Sequence, residues 1–352
     1  MAVTATGAAP LLLAARRERA AHTPVWFMRQ AGRYLPEYRA IRAHHTLLEI
    51  CARPDVAAEV SLQPVRRLGV DAASLYADIL LPLVPMGLQL SFAAGEGPVI
   101  ANPLRTRDAV LALREVDVAT DLGAVLETVG LVRRELDDAV AMIGFAGAPF
   151  TVASYAIEGG STRQFIETKR FMYGAPDAWH ALLDRLVRTT AAYLRAQVEA
   201  GADVVQVFDS WVGTLHADDY RRFVLPHQRR LFAELRTLGV PTIHFGTGTG
   251  HLLPLLREAG GDVIGLDWRQ PLDEGWEAVG HDRAVQGNLD PTVLFAPWPE
   301  VERQVRGVLH RAAGRPGHIF NLGHGILPGT PPETVRAVVD LVHEATAGTT
   351  AP

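Results

Sequence analysis

Lysine is nearly missing from this chain. Among its 34 basic residues only Lys169 is lysine. Schiff-base and pyridoxal-phosphate chemistry need a buried lysine amine. Lys169 lies in Glu167-Thr-Lys-Arg170, a polar helical stretch that suits neither. Cysteine is equally scarce. Cys51 stands alone, which excludes an internal disulfide and any metal site built on two or more cysteines. No apolar run reaches the ~20 residues of a membrane span. The first residues carry a brief apolar cluster, Ala8 to Ala15, followed by Arg16, Arg17 and Arg19. A secretory signal has the opposite order of charge and apolar run. This predicts a soluble cytoplasmic protein with a flexible segment over residues 1–23. The net charge of −5 argues against a general nucleic-acid-binding surface. Any anion site must therefore gather its arginines locally. His-Glu-x-x-His and Gly-x-Ser-x-Gly are absent. Phe245-Gly-Thr-Gly-Thr-Gly250 is glycine-rich but lacks the lysine of a P-loop, so it reads as a tight turn.

What the chain does have is alternation. Short apolar runs recur at Val25–Met28, Ala72–Leu81, Ala139–Phe145, Asp203–Phe208, Pro241–Phe245, Asp262–Leu266, Ala284–Gly287 and His318–Leu322. Long amphipathic stretches separate them. In residues 179–200, for example, Leu183, Leu186, Val187, Thr190, Leu194 and Val198 share one helical face. Most runs are apolar on both strand faces, as in a parallel sheet covered by helices. Eight such units predict an α/β (β/α)₈ TIM barrel as a single domain over residues 24–348. A doubly wound open sheet is the other architecture, but it would want a Gly-x-Gly-x-x-Gly turn after the first run. A hairpin is expected near Gln89–Phe92 and Val99-Ile100, with Gly95 and Gly97 between. Thr330-Pro-Pro-Glu333 reads as a capping box opening a terminal helix.

In such a barrel the catalytic groups stand where strands end. The first run ends in Met28-Arg29-Gln-Ala-Gly-Arg33, with Arg39 and Arg42 following. Arginine's planar fork suits carboxylate or phosphate, although a solvated basic helix would read alike. The second run contains Asp78 amid Ile79, Leu80 and Leu81. A carboxylate there must be paired or functional, and an ion pair with a nearby arginine would explain it equally well. The remaining ends offer Gly144-Phe-Ala-Gly-Ala-Pro-Phe150 with Tyr155, Phe208-Asp-Ser-Trp211, His244-Phe-Gly246, Asp267-Trp268, Gly287-Asn288 and Asn321-Leu-Gly-His-Gly325. His324 between glycines could equally be a backbone-bonding residue.

Taken together these motifs resemble the uroporphyrinogen decarboxylase family. Pro24-Val-Trp-Phe-Met-Arg-Gln-Ala-Gly-Arg33 is similar to its first signature, and Gly144 through Tyr155 with Glu158-Gly-Gly160 to its second. The resemblance runs from Pro24 to the last helix. It implies a (β/α)₈ barrel, a homodimer, no metal and no organic cofactor. It implies loss of CO₂ from the four acetate side chains of uroporphyrinogen III, giving coproporphyrinogen III. Substrate contact is carried onto the Arg29-Gln30-Ala31-Gly32-Arg33 turn, Asp78, Tyr155, Ser210 and His324, with Arg42, Phe145 and Phe208 lining the same pocket. Asp78, Arg29 and Arg33 are the catalytic candidates. Trp211 stands where some members carry other residues.

The chemistry agrees with that inventory. Decarboxylating an arylacetate leaves electrons that need a sink, and without pyridoxal the pyrrole must serve. A ring protonated on carbon is an iminium cation, which loss of CO₂ neutralises. A carboxylate at Asp78 would accept pyrrole N–H groups and stabilise that charge, while the arginines hold the substrate's carboxylates. Two other classes stay open. A corrinoid or thiol methyltransferase shares this kind of barrel but holds zinc with histidine and cysteine. A tetrapyrrole carrier would bind without releasing CO₂.

Overall fold

The computed structural model describes residues 8–93 and 97–348. Seven strands form one curled parallel sheet: β1 (Ala72–Ser74), β4 (Ala141–Gly147), β5 (Val204–Asp209), β6 (Thr242–Gly246), β7 (Val263–Gly265), β8 (Ala284–Gln286) and β9 (His318–Ile319), hydrogen-bonded in that order. The eighth stave is the opening stretch. Val25 bridges Phe320 in parallel. The Phe320 N–H donates to Pro24 O at 2.9 Å, and the Asp71 N–H donates to Val25 O at 2.8 Å. The stretch therefore lies between β9 and β1 and closes the barrel.

Alternation along the strands sorts the side chains. Ile143, Val204, Ile243 and Val263 pack together inside the barrel. Met142, Val205 and Val207 face outward onto the helices. Outside, helix Pro54–Leu68 packs on Gly123–Glu135, and helix Pro332–Thr346 packs on Trp298–Ala312 and Pro54–Leu68. The expected hairpin is present as β2 (Leu90–Ala93) paired antiparallel with β3 (Gly97–Ile100). The glycine expected at its tip, Gly95, lies outside the described residues, as do residues 1–7.

Two expectations need correction. Within the segment read as flexible, Pro10–Ala15 is a helix, with Leu11, Ala14 and Ala15 buried. These side chains pack with Trp26, Ala284 and Ile319 of the barrel interior, so the helix covers the barrel's lower end. Burying Leu11 fully contributes ~1.5–3 kcal/mol, which outweighs the weak intrinsic tendency of six residues to stay helical. The capping box at Thr330 does not form. Pro332 forces Pro331 into extended backbone, φ −66° and ψ 122°, so the helix starts one residue later and has no side-chain cap. The Thr330 hydroxyl donates to Leu327 O instead. A capping box does form at Thr46 and Glu49.

Candidate active site

At the carboxyl ends of the strands lies a cavity of about 460 Å³, within the range of small-molecule sites. Its lower wall is aromatic. Phe145 meets Phe208 edge to face with ring centres 5.5 Å apart, and Phe208 meets Phe245 at 6.0 Å. Such contacts leave flat apolar surface for a planar ring.

Arg29 sits on the turn that leaves the first stave. Its backbone is left-handed, φ 61°, a conformation that costs a non-glycine residue ~1–2 kcal/mol. The surroundings impose it. Gln30 is fully buried, its Oε1 accepting the Phe27 N–H at 3.0 Å and its Nε2 donating to Ala72 O at 2.8 Å. Asn321 Oδ1 accepts the Met28 N–H at 3.2 Å. The Arg29 stem crosses Gly325, where a Cβ would meet Arg29 Cδ at 2.5 Å. Glycine at 325 thus provides the room that lets the guanidinium reach the cavity. Arg33 joins the lining four residues on. Neither arginine makes an ion pair or a side-chain hydrogen bond among the described residues, although most of the ion pairs there use arginine.

Asp78 faces the same cavity and also has no ion pair. Its Oδ1 accepts the Leu80 N–H at 2.9 Å. Desolvation raises its pKa, against the Leu80 N–H and the positive charge of Arg29. The carboxylate keeps part of its surface open to the cavity, so solvent there tempers that desolvation. His324 lines the same cavity from the loop after β9, with Arg29 between it and Asp78 in strand order. The Gly325 N–H donates to its Nδ1 at 2.7 Å, so Nε2 carries the proton of the neutral ring. Burial, then Arg29 and Arg269, push its pKa down to about 4, and the ring is neutral at pH 7. Tyr155 stacks on Trp211 with ring centres 3.7 Å apart. Burial, with the charge of Asp78, pushes its hydroxyl up to about 12. The departure expected at Trp211 is therefore a packing platform behind Tyr155.

The structure brings Arg29, Ala31, Gly32, Arg33, Asp78, Phe145, Tyr155, Phe208, Ser210 and His324 onto one cavity. Two expected residues fall outside it. Gln30 turns its side chain inward to hold the Arg29 turn. Arg42 ends helix Pro36–Arg42 and donates to His45 O, because its position sets it beyond the cavity rim. Residues missed from sequence include Tyr38 and Tyr76, whose hydroxyls lie 2.7 Å apart in the lining. Tyr76 had a signal, since it stands two residues before Asp78 in the same apolar run. Phe92 and Pro98 line the mouth from the hairpin, with no signal at all. Behind Ser210, buried Asp209 accepts the Thr151 hydroxyl at 2.8 Å, and Thr151 Oγ1 accepts the Trp211 N–H at 3.2 Å. Burial pushes Asp209 up to about 7.

Among the described residues the lining offers Asp78 and His324 as its only histidine, cysteine or carboxylate groups, fewer than a zinc site uses. His244 is fully buried outside the lining, bonded at Gly260 O and Gln228.

Sequence comparison decides the family. The sequence model described as Uroporphyrinogen decarboxylase (URO-D) matches residues 6–345. The chain belongs to the uroporphyrinogen decarboxylase family. It is 58% identical to the Uroporphyrinogen decarboxylase of Sorangium cellulosum, over 94% of this chain and 95% of that one. It is 55% identical to that of Carboxydothermus hydrogenoformans, over 95% of each. Among solved structures it resembles a methyltransferase from Methanosarcina mazei, with a TM-score of 0.78 and 20% identity over 96% of this chain and 98% of that one. That likeness concerns the barrel alone.

Proposed function

We propose that this chain is a decarboxylase that converts uroporphyrinogen III to coproporphyrinogen III, turning four acetate side chains into methyls. The observation that carries the reading is the set of unpaired charges. Arg29, Arg33 and Asp78 meet at one cavity without neutralising one another. Two forks suit the carboxylates at the edge of the macrocycle. One carboxylate suits the pyrrole N–H groups that converge at its centre.

Each turn balances as R–CH₂–CO₂⁻ plus H⁺ giving R–CH₃ plus CO₂. A proton joins the pyrrole carbon and makes an iminium cation. The C–CO₂ bond breaks, and its electrons form an exocyclic double bond that neutralises the ring nitrogen. Protonation of the exocyclic carbon and loss of the ring proton restore the pyrrole. Asp78 stabilises the cation in a partly dry site, where charge acts more strongly than in water. Neutral His324 donates its Nε2–H, and Tyr155 and Ser210 their hydroxyls, to the substrate's carboxylates. Arg29 or Arg33 stands nearest the reacting carboxylates. The chain needs no metal or organic cofactor for this, and it acts as a cytoplasmic homodimer, a state that sedimentation would test.

The decisive experiment is anaerobic incubation with uroporphyrinogen III, with products separated by carboxylate count. Species with seven to four carboxylates are expected in succession. Tight binding with no CO₂ released would instead identify a carrier.

A further inference from the structure

At the opposite end of the barrel three side chains from distant parts of the chain converge. His22, Asp71 and His343 each place one ligand atom within 4.8 Å of the others. His22 Nε2 lies 2.8 Å from Asp71 Oδ1, and His343 Nε2 lies 2.8 Å from Asp71 Oδ2. The two rings sit side by side, 4.1 Å between centres and tilted by 49°. Asp71 is buried, its side chain 8% exposed, and its ion-pair partners among the described residues are these two histidines. The Val25 N–H donates to Asp71 Oδ2 at 2.6 Å. Among the described residues no lysine or arginine pairs with this buried carboxylate.

We propose that this trio binds one divalent transition-metal ion of the zinc type. Two imidazole nitrogens and one carboxylate oxygen form a borderline-soft set that suits zinc, whereas calcium and magnesium demand more oxygen. Ligand atoms on a tetrahedral zinc stand ~3.3 Å apart, given bonds of ~2.0–2.1 Å. The two histidine–aspartate contacts, both 2.8 Å, need to open by only about half an ångström, while the two imidazole nitrogens, within 4.8 Å of each other, adjust to the same spacing. On binding, each ring presents its Nε2 lone pair to the ion and carries its proton on Nδ1. The Val25 N–H already orients the carboxylate, as an outer hydrogen bond does for metal ligands. Both rings are about a quarter exposed, so one face stays open for the ion to enter and for a water as fourth ligand. The ion joins the segment before the barrel, the start of β1 and helix Pro332–Thr346. The site is independent of the reading given to the cavity.

The test uses the full chain stripped with a chelator. Zinc chloride is titrated by calorimetry, and melting is followed with and without it. One ion per chain is expected, with a Tm that climbs as zinc is added. His22→Gln and His343→Gln each keep an N–H donor for Asp71, so the fold is retained while a ligand is lost. Both should bind zinc at least tenfold more weakly and lose the Tm shift. Cobalt(II) on the unaltered chain should give the visible absorption of a four-coordinate site, a readout that needs no variant. Zinc bound equally by both variants, no Tm shift in the parent, or an equal shift with magnesium would each overturn the proposal.

Discussion

Two aspartates seven residues apart flank strand β1, and they live in opposite worlds. Asp71, at the lower end, is held by two imidazoles and a backbone N–H, and its pKa is lowered. Asp78, at the upper end, has one backbone N–H, faces a cavity, and its pKa is raised. The protein satisfies the first carboxylate itself and leaves the second for a visitor. The same division holds for arginine. Arg67 bridges Glu37 and Glu333 on the outside, whereas Arg29 and Arg33 make no ion pair among the described residues. A barrel of this kind keeps its stability at one end and spends its electrostatic strain at the other.

The sharpest way to break that contrast is to neutralise each aspartate. Asp78→Asn should lower kcat by ~10²–10³-fold, the scale of losing one aimed electrostatic group, and leave Tm unchanged or higher. Asp71→Asn should instead lower stability by ~3 kcal/mol, because it removes the charge of a buried carboxylate that accepts three hydrogen bonds. Turnover assays and urea melts would show both, and exchanged outcomes would refute the division. Next comes Arg29→Ala or Arg33→Ala, each expected to cost kcat/KM ~10–100-fold, mainly through KM, for a lost charge-assisted bond of ~1.5–3 kcal/mol. Arg67→Ala, on an exposed pair, should change stability by under ~1 kcal/mol and leave KM alone.

Smaller effects follow from the histidines. His324 is neutral above about pH 4, so His324→Gln should raise KM several-fold without altering the shape of the pH–rate profile between pH 6 and 8. A limb that disappears in the variant would make His324 an acid after all. Fully buried His244 and His318 are also pushed down to about 4 by burial. Between ~pH 6.5 and 4 the unfolded chain binds protons that the folded chain refuses. Stability therefore falls as pH falls through that window, by at most ~1.4 kcal/mol per pH unit for each group. Denaturant melts at pH 7, 5.5 and 4.5 measure it.

Much of this was legible in the sequence, and the reasons for the rest are physical. The apolar runs announced themselves because parallel strands are buried on both faces. Their lengths did not, since neighbouring strands decide where pairing stops: the run Ala72–Leu81 yields only Ala72–Ser74. Arg29, Arg33, Asp78, Tyr155, Ser210 and His324 all reach one cavity. The inward turn of the Gln30 side chain had no signal, because adjacent residues on a turn point in different directions and a motif cannot say which. The helix Pro10–Ala15 is too short to show a period. His22, Asp71 and His343 are invisible as a group, being separated by 49 and 272 positions.

The eighth stave has a consequence for how the molecule is made. Its bonds join Pro24 and Trp26 to Phe320. Among the first structured segments to leave the ribosome, it must wait for nearly the last. At ~5–20 residues per second that wait is roughly 15–60 s, during which β1 and the growing far strand are open sheet edges able to pair with another chain. The lower-end helix waits as well, because it rests on β8 and β9. Barrel closure is thus a late, long-range event in the life of each chain, and the time before it is when aggregation and chaperone capture compete with folding.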